Sequence, residues 1–128
     1  MRFYRVNKEG ASVLDIPNKL DEINNALGWT DAWNTPTIQI CGRKYILICS
    51  DLGKVQHLPI SALCRSNLIT PKETIQEPFM VGTIIITKFD GIDDFEALND
   101  EDLAILQSRT IDAHYFGIDS YNKILVID

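Results

Sequence analysis

Tyr45-Ile-Leu-Ile-Cys49 is continuously apolar, and this stretch decides the fold. A strand with one face in water alternates apolar and polar residues, whereas an unbroken apolar run predicts a strand covered on both faces. We therefore expect a central strand over 44–50, with other parts of the chain packed above and below it. We also expect a strand over 37–41 before it. The two strands would form a tight hairpin with Gly42-Arg43 at its tip.

The other predicted strands lie mostly in neighbouring pairs. They cover Phe3–Val6, Ala11–Ile16, Val55–Leu58, Phe79–Phe89, His114–Ile118 and Lys123–Ile127. Gly82 predicts a bulge within the long apolar run, and 60–63 is interpreted as one helical turn. Because long crossover connections are scarce, this pattern favours an antiparallel arrangement.

Two helices are predicted. The first follows Pro17, begins with Asn18 as its N-cap and ends at Gly28 in the left-handed conformation; its apolar face is Leu20, Ile23 and Leu27. The second is capped by Asn99 and buries Leu103 and Leu106. The fold class expected is α+β, with a mostly antiparallel sheet of about six to seven strands and two helices.

Length and charge limit the classes of protein. The 128 residues carry 12 Lys and Arg against 18 Asp and Glu, so the net charge is −6, and we expect one domain over 1–128. An acidic chain is a poor candidate for non-specific nucleic-acid binding, which depends on neutralising phosphates. No apolar run approaches the roughly 20 residues of a membrane span, and the first ten residues lack the pattern of a secretory signal.

Three cysteines, Cys41, Cys49 and Cys64, are an odd number, which suggests reduced thiols in a reducing compartment. Cys41 and Cys49 lie in apolar runs and are expected to be buried. The spacing of cysteines and histidines does not support a zinc site, and we predict neither a metal nor a cofactor.

Acidic residues are densest between positions 90 and 102. A calcium loop is excluded because its sixth position would need glycine and holds Phe95. Asp90, Asp93 and Asp94 are candidates for an acidic surface that contacts a partner. The acids at the start of the second helix, Asp100, Glu101 and Asp102, are interpreted as its solvated first turn, where they favour the helix dipole.

A ligand or a partner could also be held by aromatic and basic residues in the first half of the chain. Trp29 is a candidate anchor for a protein partner, and its alternative role is to cover the core. Trp33, Arg43, Lys44 and Arg65 are candidates for a small anionic ligand, although a solvated hairpin tip also accounts for the two residues at 43 and 44. An enzyme would have to use Cys64 with His57, and no nucleophile signature surrounds either residue.

Three segments, in this order and spacing, resemble a known family. They are residues 16–28, residues 48–63 with Ile48-Cys-Ser-Asp-Leu-Gly-Lys54 followed by Leu58-Pro59, and residues 81–86 followed by Asp93-Asp-Phe-Glu-Ala-Leu98 and 99–102. The chain is similar there to domain-of-unknown-function family 3846, small proteins carried mainly by phages, plasmids and conjugative elements. The resemblance covers residues 3–107 and leaves a C-terminal strand pair, 111–128, outside it. It implies a bacterial host cytoplasm and no catalytic residue.

Three functions remain open at this point. The leading hypothesis is a non-enzymatic accessory protein of a phage or mobile element that binds and antagonises a host or defence protein with a basic surface. The first alternative is a sponge for a small nucleotide signal, built in a homo-oligomer. The second alternative is a small enzyme that uses Cys64 and His57. Direct binding to nucleic acid or to a membrane is not expected.

Overall fold

The computed structural model describes residues 1–7, 10–28, 33–50, 60–64, 68–69, 74–75, 79–89, 94–115 and 122–127. In chain order the elements are β1 (Arg2–Asn7), β2 (Gly10–Asp15), α1 (Leu20–Leu27), β3 (Trp33–Asn34), β4 (Thr37–Ile40), β5 (Arg43–Ser50), β6 (Ile60–Cys64), β7 (Leu68–Ile69), β8 (Thr74–Ile75), β9 (Phe79–Val81), β10 (Ile84–Phe89), β11 (Phe95–Glu96), α2 (Asp100–Ser108), β12 (Thr110–Tyr115) and β13 (Asn122–Ile127). Within this described part of the chain, neither helix is long and apolar enough to cross a membrane.

The strands form two sheets. In the first sheet the order is β2-β1-β10-β5-β3, with β4 also paired to β5 and β11 also paired to β10, and every pair is antiparallel. In the second the order is β7-β8-β12-β13-β6-β9, in which β8–β12 and β13–β6 are parallel. The predicted class, α+β with two helices and mostly antiparallel strands, is confirmed, and the division of the strands between two sheets is a finding of the structure.

The first sheet is covered on both faces, as the apolar run of β5 predicts. Its α1 face is a cluster in which Ile23 and Leu27 of α1 pack with Phe3, Ile48 and Ile85. Its α2 face is a larger cluster, to which α2 contributes Leu103 and Leu106, β13 contributes Leu125 and Ile127, and β5 contributes Tyr45, Leu47 and Cys49. Successive residues of β5 therefore enter different cores, because side chains alternate across a strand.

The hairpin between β4 and β5 turns one residue earlier than predicted. Ile40 pairs with Arg43, so the two-residue turn is Cys41-Gly42, with φ of 53° and 77°. Two positive φ values define the type I′ turn that suits the twist of a hairpin. A shift by one residue moves a side chain to the opposite face, so Arg43 lies in β5 on the α2 face and not at a solvated tip. Cys41 is consequently exposed, contrary to expectation, while Cys49 is buried as expected.

The long apolar run over 79–89 is not one strand with a bulge. It divides at Gly82, whose φ of 79° favours glycine, into β9 in the second sheet and β10 in the first. The helical turn predicted over 60–63 is also wrong, because β6 pairs with β13 on one side and β9 on the other. The strand predicted over Val55–Leu58 lies outside the described residues.

Helix α1 begins at a different cap from the one predicted. Lys19 is the N-cap and makes no side-chain capping bond, while Nδ2 of Asn18 donates to Oδ1 of Asp94 at 2.7 Å. Leu20 is 63% exposed and does not join the core. The predicted end is confirmed, since Gly28 has a φ of 87° and its N–H donates to the carbonyl of Asn24.

Candidate functional site

The most connected polar group in the described structure is the carboxylate of Asp102. It lies at the third position of α2, where its backbone N–H donates to Oδ1 of Asn99 at 2.8 Å. In return the N–H of Asn99 donates to Oδ2 of Asp102 at 3.1 Å, so the two residues form a capping box. The predicted cap is therefore confirmed, but the side chain of Asp102 is only 1% exposed.

Three side chains of the first sheet also converge on this carboxylate. Oδ2 accepts a hydrogen bond from Nζ of Lys88 at 2.7 Å. Oδ1 accepts one from Nη1 of Arg43 at 3.1 Å and one from the hydroxyl of Tyr45 at 2.9 Å. Arg43 and Tyr45 come from β5 and Lys88 from β10, so the Asp102 cluster, as we name these four residues, fastens the start of α2 to two central strands.

The cluster stabilises the ionised form of the carboxylate. Burial is the largest single influence on Asp102 and raises its pKa. The hydrogen bonds from Lys88, the Asn99 N–H and Tyr45 together lower the pKa by more than burial raises it, so the net pKa lies below its ordinary value. Burial, followed by the bond to the Asp102 carboxylate, raises the pKa of the Tyr45 phenol. Asp102 is thus ionised and Tyr45 protonated at neutral pH.

This arrangement corrects the interpretation of Asp102 as part of a solvated helix start. Each carboxylate oxygen already accepts two hydrogen bonds, which leaves no acceptor position for a substrate proton or a cation. The chemistry of the cluster is that of a fixed ion-pair network. Among the residues that the structure describes, no group of three His, Cys, Asp or Glu side chains could hold a metal ion.

Two neighbouring acids of α2 are exposed and paired with arginine. Oδ1 of Asp100 accepts from Nη1 of Arg2 at 2.6 Å, and Glu101 forms an ion pair with Arg43. The hydrogen bond to Asp102 is the main cause that raises the pKa of Arg43. The guanidinium predicted for a small ligand is therefore engaged by two acids of its own chain, while the adjacent Lys44 is exposed.

An exposed aromatic and two exposed acids lie beyond this network, at the end of β10. Phe89 is 47% exposed and stands opposite Phe95 in the register of β10 and β11. Asp94 and Glu96 flank Phe95 in the chain, and both are exposed. We call Phe89, Asp94 and Glu96 the contact surface.

The charges of the contact surface are held in different ways. Asp94 accepts hydrogen bonds from Nδ2 of Asn18 and from the N–H of Phe95, each at 2.7 Å. Within the described residues, no ion pair involves Glu96. Among the described residues, Glu96 is therefore not neutralised by an ion pair, whereas Asp100 and Glu101 are paired with arginine.

The structure does not bring the predicted ligand residues together in one chain. The backbone of Trp33 pairs with Ser50 at one end of β5, and Arg43 and Lys44 lie at the other end. Arg43 and Ser50 are seven residue steps apart along the strand, so their backbones are separated by roughly 24 Å. Other predicted residues, namely Trp29, His57, Arg65, Asp90 and Asp93, lie outside the described residues, and of Cys64 only its place in β6 is described.

Sequence reasoning missed four residues of these sites, namely Tyr45, Lys88, Phe89 and Glu96. Tyr45 was assigned to the core, and Lys88 and Phe89 to the end of an apolar strand. A partial signal was present, since Asp102 stands three residues after a good N-cap and the side chains of Arg43 and Tyr45 are two residues apart on one strand. Comparisons with protein families, with curated proteins and with solved structures give no match for this chain.

Proposed function

We propose that this chain is a non-enzymatic accessory protein of a phage or another mobile element, which acts by binding a host or defence protein that has a basic surface. The observation that carries the proposal is the contact surface, where exposed Phe89 and the exposed acids Asp94 and Glu96 lie at the β10–β11 end of the first sheet. Glu96 stands opposite Lys88, so its side chain lies on the other face of the ladder from Phe89. Exposed aromatic side chains are typical anchors of protein interfaces, and charged groups are typical of their rims.

The network behind the contact surface supports the same proposal. The Asp102 cluster fixes the start of α2, and the N–H of Leu98 donates to the carbonyl of Arg2 at 3.1 Å, so the segment between β11 and α2 is held against the first sheet. A surface that is rigid before binding loses less conformational entropy when a partner docks. Acidic groups held in this way favour fast, salt-dependent association with a basic partner.

The two alternatives receive less support from the geometry. A nucleotide sponge would need a second subunit to supply the aromatic residue. Trp33 pairs with Ser50 at one end of β5, whereas Arg43 lies at the other end of that strand. An enzyme would need a general base, and Asp102, the buried acid of the described residues, has its acceptor positions filled. Binding to a protein through the contact surface is therefore the function that we favour.

The test reverses a charge at the contact surface and a charge elsewhere. Affinity capture from the bacterial host should recover a stoichiometric partner with the wild-type chain and lose it with Glu96→Lys. The matched control is Asp112→Lys, an equal charge change at another exposed strand acid, which lies on β12 and pairs with Lys123. We expect the control to keep the partner, and the captured amount to fall as salt rises. Equal capture by both variants would contradict the proposal.

A further inference from the structure

The outer edge of β2 presents backbone groups to solvent. Within the described residues, β2 pairs with β1 alone and forms one end of the first sheet. The N–H of Ile16 donates to the carbonyl of Met1. Residues 1 and 16 are therefore a hydrogen-bonded pair of the β1–β2 ladder, in which the backbone groups point toward the partner strand. Hydrogen-bonded pairs alternate along an antiparallel ladder, so Phe3–Leu14 and Arg5–Ser12 bond inward. The N–H and C=O groups of Ala11, Val13 and Asp15 therefore point outward.

This edge has few of the devices that usually prevent strand pairing, and its one charged residue, Asp15, pairs with the N-terminal amine of Met1. The segment Gly10–Asp15 contains no lysine and no proline, its register with β1 is unbroken, and Ser12 and Val13 are exposed. Natural edge strands are commonly protected by such residues or by a bulge. Val13, at the middle of the strand, is 42% exposed, although it is a large apolar side chain.

We propose that β2 is the interface of a homodimer, in which the β2 strands of two copies pair antiparallel and join their first sheets. The outward groups at positions 11, 13 and 15 are symmetric about Val13. A two-fold axis at Val13 places it opposite the partner's Val13 and Ala11 opposite the partner's Asp15, so every outward group gains a hydrogen bond. The same axis pairs two exposed valines and places no like charges directly opposite each other.

A second copy fits this edge better than an unrelated peptide because the sequence is complementary to itself in that register. The apolar residue lies on the axis, and Asp15 faces a small neutral side chain. The interface does not use Phe89, Asp94 or Glu96, so the dimer and the proposed partner contact can be tested separately.

Sedimentation velocity over a dilution series tests the dimer. The wild-type chain should approach twice its 14.5 kDa at high concentration. Val13→Lys should remain monomeric at the same concentration, because it places two ammonium groups opposite each other. The matched control is Gln39→Lys, at an exposed position of β4, which should still dimerise. A wild-type chain that is monomeric at every concentration, or a Val13→Lys variant that dimerises, would overturn the proposal.

Amide hydrogen exchange of the wild-type chain gives a second test that needs no variant. The amides of Ala11, Val13 and Asp15 should exchange fast in dilute solution and slowly in concentrated solution. The amides of Ser12 and Leu14, which bond to β1, should be protected in both. Fast exchange at position 13 at all concentrations would refute the pairing.

Discussion

At the scale of single residues, Asp102 joins most of the polar contacts that place α2. Four donors surround a carboxylate that is 1% exposed, and two of them are cationic. Removing one charge from such a group leaves the others partly buried and uncompensated, which costs more than the intact pair contributes. Asp102 therefore holds the contact surface in place without belonging to it.

Replacement of Asp102 by asparagine should lower the free energy of unfolding by about 3 kcal/mol, because Lys88 and Arg43 lose their buried counter-ion. Urea denaturation measures this change. The control is Asp100→Asn, two residues earlier in the same first turn of α2. The side chain of Asp100 is 94% exposed and pairs with Arg2 at the surface. Exposed pairs contribute little, so the control should unfold at nearly the wild-type urea concentration. Equal losses in the two variants would show that burial of Asp102 is unimportant.

The same residue gives stability a dependence on acid pH. The pKa of Asp102 is lower in the folded chain than in the unfolded chain, so the unfolded state binds the proton first. The stabilisation is present above the unfolded pKa of about 3.9 and is lost as the pH falls below it toward the folded pKa. Unfolding titrations between neutral pH and acid should show a flatter profile for Asp102→Asn than for the wild type. Parallel profiles would contradict the assignment.

At the scale of elements, the β4–β5 turn sets which face each β5 side chain occupies. Cys41 and Gly42 both have positive φ, and nothing lies within 4 Å of a Cβ built on Gly42. The position is thus restricted by backbone conformation and not by space. The turn places Arg43 and Tyr45 on the α2 face, where they reach Asp102.

Substitutions in this turn should change stability in opposite directions. Gly42→Ala should lower the free energy of unfolding by about 1 kcal/mol, the cost of a left-handed backbone for alanine. Cys41→Asn should raise it, since Asn-Gly is the preferred pair for a type I′ turn. Thermal unfolding of both variants measures the difference. A Gly42→Ala variant as stable as the wild type would mean that the turn is of another type.

Particular elements show how far the sequence could predict this fold. Helix α2, its cap and its buried leucines were predicted because the signals are local. The β4–β5 turn was misplaced by one residue because cysteine is an unusual residue for a positive φ. The strand β6 and the division at Gly82 could not be predicted, since β6 pairs with β13, far along the chain, and β9 in turn pairs with β6. The Asp102 cluster has the same origin, because the other three residues lie 14 to 59 positions before Asp102 in sequence.

At the scale of the whole molecule, the first sheet lies between α1 on one face and α2 with β13 on the other. The C-terminal strand pair, which lies outside the family resemblance, is part of this architecture, because Leu125 and Ile127 enter the α2-face core. The contact surface lies at the β10–β11 end of the sheet and the proposed dimer interface at its β2 edge. The two proposed surfaces, one for a partner and one for a second copy, are thus separate.

Native mass spectrometry of the chain, purified from the bacterial host that the proposed function implies, tests the central claim most directly. The account predicts a stoichiometric protein partner on the wild-type chain and on Asp112→Lys, and its loss from Glu96→Lys and from Phe89→Ala. A small additional mass of nucleotide size in place of a protein would instead support the sponge. A partner that stays bound to Glu96→Lys and Phe89→Ala, or no protein partner at all, would contradict binding through the contact surface.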